Sequence, residues 1–366
     1  MKLLLDKVFL SDILQTTQKF TSDRLGTGVS LQGVYIKISK GKINFYATNL
    51  NTYCSVSSDI KSEGDAELVI EPKKILEYLQ LLDSGEISLD IMENNVQIIQ
   101  GKTKGVFPTM PASDFPLAPE LKEKPEKIKS DFLLKNLPFL LFTASVDEAR
   151  PVLTGINFSS GDSDLILVAT DGFRLSFVKE KSRGIFPSMI IPADFLREVT
   201  KYIKGKKEVD FTYSEKEQIV RFTIDNAEFS SRLIDGEFPS YERVIPEEKK
   251  STVKLKKNEL IRNTKLISIF AREFSNVVVY DFSKKGLVVS PKKEANAENV
   301  TTQDVIFEGE PMKIAFNYRY VLDFLNNIDS DEIEIELLRP DAPVVFKTPN
   351  NPSFFHIIMP VRIQDQ

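Results

Sequence analysis

LILVATDGFRLSFV, residues 165–178, sets two apolar runs on either side of Asp171-Gly172, with a hydroxyl at Thr170 and a guanidinium at Arg174. Apolar runs bounded by Asp-Gly read as two strands joined by a tight hairpin. Asp-Gly favours the type I′ turn, so both residues are expected at positive φ. The stretch has a counterpart upstream, INFYATNL at 43–50, and a fainter one downstream, LVVSPKKE at 287–294. What decides the fold is therefore whether the chain repeats.

Three further segments recur in the same order. LDKVFLSDIL (5–14) matches IKSDFLLKNL (128–137) and, more loosely, LKKNELIRNT (255–264). VIEPKKILEYLQLL (69–82) matches IIPADFLREVTKYI (190–203) and IAFNYRYVLDFLNNI (314–328). TMPASDFP (109–116) lies against RLIDGEFP (232–239) and IMPVRI (358–363). The step is roughly 120 residues, far longer than the solenoid unit of about 20–50, so each copy is expected to be a domain with its own core. The charged, proline-containing joins LAPELKEKPEK (117–127) and VIPEEKK (244–250) suggest domains at 1–122, 123–248 and 249–366.

Each copy reads as α+β, with two helices packed on antiparallel sheet. Phe195, Leu196, Val199, Tyr202 and Ile203 fall on one helical face, as do Val321, Phe324, Leu325 and Ile328. Pro72 and Pro192 suit a first helical turn, where the missing N–H is not needed. KEVDFTYS and QIVRFTID, within 206–225, read as an antiparallel hairpin.

Composition narrows the function. Of the 366 residues, 42% are apolar and 28% charged, as in ordinary soluble proteins with sizeable cores. Cys54 is the only cysteine, which excludes an internal disulfide and fits a reducing, cytoplasmic setting. Asp6 and Lys7 interrupt the opening MKLLLDKVFL, so it is not expected to be a secretory leader, and no run is long enough to span a membrane. A formal net charge of −5 argues against a uniformly basic nucleic-acid binder, although local positive charge would suffice for contact.

Catalysis finds little support. No HExxH, GxSxG, P-loop or CxxC pattern is present, and no motif calls for a cofactor or metal. The sole histidine, His356 in FFHIIMP, lies in a strand-like run and reads as a packed or edge residue rather than a base.

The repeat order, with VATDGFRL, DGEFPSYERVIP and the terminal IIMPVRI, resembles the bacterial DNA polymerase III beta subunit family, the sliding clamps. The resemblance spans the whole chain. It implies a processivity factor: three clamp domains per chain, closing a ring as a head-to-tail dimer, with helices lining a hole for duplex DNA. It further implies a non-catalytic subunit that tethers the replicative polymerase alpha subunit, a clamp loader, other polymerases, ligase and mismatch-repair proteins through a peptide-binding pocket. Matching residue by residue, that pocket takes Leu153, Thr170, Gly172, Arg174, Leu175, Pro239, Arg243 and Val244. It also takes Phe274, Asn317, Tyr320, Val344, Ile357, Ile358, Met359, Pro360, Val361 and Arg362. Aliphatic and Met walls suit leucine or phenylalanine side chains, and arginines at a rim would orient an extended peptide. For Leu153 and Val244 a plain core role reads equally well. Phe173 stands where relatives vary and is not included.

The DNA-facing candidates are Arg24, Lys73, Lys74, Arg150, Arg197, Lys201 and Lys204, with Lys265 on a third helix. Sparse basic residues would attract phosphates without reading sequence, and a solvated helix face explains any one of them as well. Phe107 and Ile269 are the candidate apolar anchors of the dimer interface. The chain departs from the family at DRLGTGVSLQGV (23–34), which lacks the usual proline, and in continuing through Gln364, Asp365 and Gln366 beside the pocket. Two readings from other classes compete: a hydrolase using acids in a cleft, and a multidomain protein-interaction adaptor that does not act on DNA.

Overall fold

The computed structural model describes residues 1–22, 29–62, 64–161, 163–181, 186–272, 275–292 and 299–362. Arg24 and Phe274 lie outside these, as do Gln364, Asp365 and Gln366. Seven α-helices occur among the described residues: α1 (Lys7–Thr17), α2 (Pro72–Leu81), α3 (Ser130–Asn136), α4 (Pro138–Leu141), α5 (Ala193–Tyr202), α6 (Lys257–Ala271) and α7 (Tyr318–Asn326). The first and third repeats each carry two. In the second, Pro138 divides the opening helix into α3 and α4, because proline supplies no N–H to the preceding turn.

Local chemistry fixes the helix starts. Asp6 caps α1, its Oδ1 accepting from the backbone N–H of Val8 at 2.8 Å and of Phe9 at 3.1 Å. Pro72 opens α2 as expected, whereas Pro192 ends the strand Met189–Pro192, one residue before α5. Asn317 caps α7 through the N–H of Arg319 at 3.1 Å.

The chain packs as two compact units: Met1–Phe132 with Glu198–Leu233, and Leu133–Arg197 with Ile234–Gln366. The units do not follow the three repeats, because the second repeat contributes to both. The reason lies in the two larger sheets, each of which runs on across a repeat boundary.

In the first unit a 12-stranded antiparallel sheet starts at Lys2–Asp6 and passes through Glu86–Ile91, Asn95–Gln100, Thr103–Met110, Ala66–Ile70, Val34–Ser39, Lys42–Thr48 and Thr52–Asp59. It continues without a break into Ala227–Arg232, Ile219–Ile224, Glu208–Ser214 and Glu126–Lys129 of the second repeat. The seam pairs Val56 with Ala227, Cys54 with Phe229 and Thr52 with Ser231. Phe229 is fully buried there, its ring 5.6 Å from Phe20 and 4.7 Å from Tyr202. Cys54 is buried too, and burial pushes its thiol pKa up, so it stays protonated and inert.

The second unit holds a 9-stranded and a 4-stranded sheet. The larger runs Met189–Pro192, Gly155–Ser160, Asp164–Thr170, Arg174–Lys181, then Phe354–Ile358, Val344–Lys347, Glu332–Leu337, Ser251–Lys256 and Ile306–Gly309. Here the seam joins the hairpin of the second repeat to the last strand of the third, Arg174 opposite Ile358 and Val178 opposite Phe354. Phe324 of α7 anchors the core beneath, with Phe346 at 5.3 Å and Phe354 at 6.3 Å.

Both seams rest on large buried aromatics, so truncation at one should be costly. Phe229→Ala is expected to remove about 3–5 kcal/mol of stability, the usual loss for a buried phenylalanine. Urea unfolding read by far-ultraviolet circular dichroism checks this; a change within error would show that the seam does not depend on Phe229.

Candidate functional site

The Asp164–Thr170 and Arg174–Lys181 strands form the expected hairpin, with Thr170 paired to Leu175. Its turn is not type I′. Gly172 is left-handed at φ 92°, but Asp171 is not among the non-glycine residues at positive φ. The Asp171 side chain does the work of the missing turn geometry instead. Its Oδ1 accepts from the N–H of Phe173 at 2.9 Å and of Arg174 at 3.0 Å, while Thr170 Oγ1 donates to the Arg174 carbonyl at 2.7 Å and accepts from the Gly172 N–H at 3.1 Å.

This locked turn aims Arg174 at a fixed point. Its Nε donates to Asp171 Oδ2 at 2.9 Å and its Nη1 to Asp323 Oδ2 of α7 at 2.6 Å. The guanidinium also lies 4.6 Å from the Tyr320 ring centroid and 5.8 Å from that of Phe142. Burial and the Asp171 and Asp323 carboxylates raise the Tyr320 hydroxyl pKa, with Arg174 opposing them. Arg174 thus ties the hairpin to α7 as well as lining the surface above.

The end of the chain runs alongside. Ile357 and Ile358 pair with Leu175 and Arg174, Val344 pairs with Ile358, and the Met359 N–H donates to the Phe173 carbonyl at 2.9 Å. The Val361 N–H donates to the Ala315 carbonyl at 2.8 Å, and its side chain packs on Val277, Val279 and Ala315. Leu175 and Ile357 form a buried cluster with Val168 and Val345, overlaid by Phe238, Tyr241 and Ile245.

The structure therefore brings the predicted residues together in two layers. Leu153, Thr170, Leu175, Val344, Ile357 and Ile358 are buried and form the floor. Gly172, Pro239, Arg243, Val244 and Arg362 are exposed, with Tyr320, Met359, Pro360 and Val361 half-buried between them. Asn317 is held as the cap of α7 and as the partner of Val277. Of the two residues left open between core and site, Leu153 is core and Val244 surface. Arg243 and Arg362 are both exposed at this surface.

Three features were not read from the sequence. Phe173, at the hairpin tip, is 56% exposed and stacks near Tyr320 at 6.4 Å. Arg150 is expected to face DNA, yet a Cβ placed on Gly172 would lie 3.3 Å from its Nη1, so it borders this hairpin. It is also paired with Asp147 at 3.1 Å. Finally, Ser176 Oγ lies 2.8 Å from His356 Nδ1 and 2.8 Å from Thr143 Oγ1. A hydroxyl–imidazole pair is what a nucleophile needs, but both residues are fully buried and no substrate reaches them. Only the packing of His356 was legible, and residues so far apart in the chain carry no local signal.

The basic candidates lie on exposed helical positions, with carboxylates close by. Lys74 is 3.5 Å from Glu71 and Lys201 is 2.6 Å from Glu198, while Arg197 is paired with Asp194 and donates to the Leu141 carbonyl at 2.8 Å. Lys73 is exposed on α2, and Lys204 falls just past the end of α5 rather than on its face. Ile269 is 49% exposed on α6, beside Leu266 at 48% and Phe270 at 39%. Phe107 is half-buried against Tyr78, ring centroids 5.3 Å apart.

This fold, a thrice-repeated α+β unit whose hairpin meets the last strand of the next repeat, is that of a DNA polymerase sliding clamp. Models of the DNA polymerase III beta subunit match the N-terminal domain at residues 1–119, the central domain at 127–240 and the C-terminal domain at 242–362. The chain belongs to the DNA polymerase III beta subunit family. It is 28% identical over 383 residues to the beta sliding clamp of Bacillus subtilis, covering 99% of this chain and 100% of that one. With the beta sliding clamp of Vibrio cholerae the identity is 25% over 343 residues, 91% and 92% of the two chains. The crystal structure of the Bacillus subtilis sliding clamp superposes with a TM-score of 0.88 at 26% identity, covering 99% of each chain. The DNA polymerase III subunit beta of Bartonella birtlesii, bound to griselimycin, does so at 0.91 and 25%, covering 99% and 100%.

His356 gives a test of the site's interior. Burial, then the positive charge of Arg174, holds its pKa well below the ordinary histidine value. A depressed pKa means that the unfolded chain binds the proton and the folded one does not. Stability is then complete above the unfolded value of about 6.5 and falls below it by up to about 1.4 kcal/mol per pH unit. Urea midpoints between neutral pH and pH 5 should show this slope, and His356→Gln should flatten it.

Proposed function

We propose that the chain works as a ring: a head-to-tail homodimer that encircles duplex DNA and holds partner proteins by short peptides. The observation that carries this is the pattern of strand edges. Within the chain, the fourth strand of the first repeat, Thr52–Asp59, pairs with the last strand of the second, Ala227–Arg232. The fourth strand of the second repeat, Arg174–Lys181, pairs with the last of the third, Phe354–Ile358. Among the described residues the fourth strand of the third repeat, Thr301–Gln303, pairs only with Gly286–Pro291 and keeps an open edge. Its counterpart under the same rule is the last strand of a first repeat, Thr103–Met110: Thr109 and Met110 pair with Ala66–Ile70, while the stretch before them, with exposed Val106 beside Phe107, is paired on one side with Asn95–Gln100. A second copy supplies that strand, and two such joints close a ring in which the Thr301–Gln303 edge is paired.

The helix beneath the open edge supports this reading. Asn263 of α6 donates to the Thr302 carbonyl at 3.3 Å and accepts from Thr301 Oγ1 at 3.0 Å. Leu266, Ile269 and Phe270 on the same helix offer the apolar surface such a joint buries.

The hairpin site is the peptide pocket of this proposal. Above its buried floor, the half-buried Tyr320, Met359 and Val361 take apolar side chains. Arg243 and Arg362 orient the peptide, and Met359 adapts to different partners. The peptides are those of the polymerase alpha subunit, the clamp loader, other polymerases, ligase and mismatch-repair proteins. The ring is non-catalytic, since the one hydroxyl–imidazole pair described is sealed. Lys73, Lys74, Arg197, Lys201 and Lys204 face the duplex as weak, sequence-independent contacts.

Three measurements test these points. Ile269→Asp with Leu266→Asp should halve the solution mass at micromolar concentration; an unchanged mass would place the joint elsewhere. By isothermal titration, Met359→Ala should weaken a Leu-Phe-type clamp-binding peptide about tenfold or more. On nicked circular DNA the loaded protein should persist in salt that abolishes binding to a linear duplex, and cutting the circle should release it. Loss of all binding in salt, with indifference to linearisation, would falsify topological retention.

A further inference from the structure

We infer that the outer edge of the strand Lys2–Asp6 is a second docking site, which takes an extended segment of a partner protein as an added strand. This does not depend on the hairpin pocket. Among the described residues the strand pairs only with Glu86–Ile91, and it ends the 12-stranded sheet. The ladder bonds show which backbone groups are spare. The Met1 nitrogen donates to the Ile91 carbonyl at 2.8 Å, the Ile91 N–H to Met1 at 2.7 Å, and the Lys7 N–H to Gly85 at 2.9 Å. In an antiparallel pair alternate residues make both bonds, so Leu3 and Leu5 also turn towards Glu86–Ile91. Lys2, Leu4 and Asp6 turn their N–H and C=O groups outward.

The third repeat shows what such an edge accepts. Its first strand, Ser251–Lys256, is followed directly by α6, as Lys2–Asp6 is by α1, so Thr252 stands for Lys2, Val253 for Leu3 and Lys254 for Leu4. There the Lys257 N–H donates to Asp331, which leaves Thr252 and Lys254 facing out by the same alternation. The chain itself fills that edge: Ile306–Gly309 pairs antiparallel, Glu308 opposite Thr252, Phe307 opposite Val253 and Ile306 opposite Lys254.

In the first repeat the corresponding connection stays away. It is shorter, 60–65 against 304–311, and it is tied to the facing turn. The Ile60 N–H donates to the Gly41 carbonyl at 2.8 Å, and the Lys40 N–H to Asp65 Oδ1 at 3.4 Å. Between this connection and the bare edge lies a cleft of about 1240 Å³, lined by Leu4, Phe9, Ser58, Ile60 and Ser62 among others. Leu4 is 57% exposed there. An open edge beside an apolar wall supplies what strand addition needs. By the precedent of Ile306–Gly309, the added strand places a large apolar side chain opposite Leu3, an aliphatic one opposite Leu4 and a polar one opposite Lys2.

The probe is the chain's own edge-filling sequence, a blocked, fluorescently labelled DVIFEGEP (304–311), added to the full-length protein. Anisotropy should show saturable binding, and hydrogen–deuterium exchange should slow in residues 2–6. N-methylation of the peptide at the Ile306 and Glu308 positions, whose N–H groups face the edge, should weaken binding about tenfold, while methylation at Val305 and Phe307 should not. Leu4→Pro, which removes an outward N–H that the Glu86–Ile91 pairing does not use, should weaken it similarly. The methylated peptides leave the protein untouched and so control for misfolding of that variant. Absent binding, equal affinity for both methylation patterns, or protection elsewhere in the chain would each overturn the site.

Discussion

A strand at the end of a sheet carries a row of unmet N–H and C=O groups, and this chain meets much of that demand by running its two larger sheets across the boundary between repeats. The two seams, Cys54 opposite Phe229 and Leu175 opposite Ile357, are ladders rather than surface contacts. Backbone pairing fixes register as well as proximity, because a one-residue slip would turn every side chain to the wrong face. The placement of Arg174, Met359 and the buried floor follows from the second seam. The functional surface is thus a consequence of how the sheet avoids an edge. The same demand, applied to Thr301–Gln303 and to Lys2–Asp6, points to one joint with a second copy and one with another protein.

Much of this was legible in the sequence because it rests on local patterns. The apolar faces of α5 and α7, the hairpin at 208–224 and the proline opening α2 are all short-range signals, and each sets its element. The candidate pocket residues rest on the resemblance of the repeats and of the motifs around them, and ladder pairing brings Arg174, Leu175, Val344, Ile357 and Ile358 side by side. Even so, the sequence reading treated Arg174 as a rim cation awaiting a ligand. In the structure two carboxylates and an aromatic ring already engage it, so its role is partly to hold the hairpin on α7.

What was not legible depends on residues far apart in the chain. Asp-Gly signals a turn, but whether the turn is type I′ depends on the side chain of Asp171, which caps the N–H groups of Phe173 and Arg174 and relieves Asp171 of a left-handed φ. Arg150 resembles any exposed base until the short helical turn after it brings it beside Gly172. Ser176 and His356 meet only because Phe354–Ile358 pairs with Arg174–Lys181. The sharing of the second repeat between two compact units was equally hidden, since a repeat length measures the genetic unit and not the packing unit.

Charge closes the account. A protein that holds DNA by attraction needs uncompensated cations, because affinity grows with each counterion released. Here the candidate bases come with acids one helical turn before them: Glu71 before Lys74, Asp194 before Arg197 and Glu198 before Lys201. Exposed pairs of this kind contribute little to stability. Their main effect is to lower the field that a phosphate would meet, in a chain whose formal net charge is −5. Such weakness would defeat a sequence-reading or purely electrostatic binder. It suits a ring, where strand pairing between copies prevents escape and loose contacts leave the protein free to move along the duplex. The acidic balance that argued against nucleic acid in the bare sequence is consistent with retention by topology.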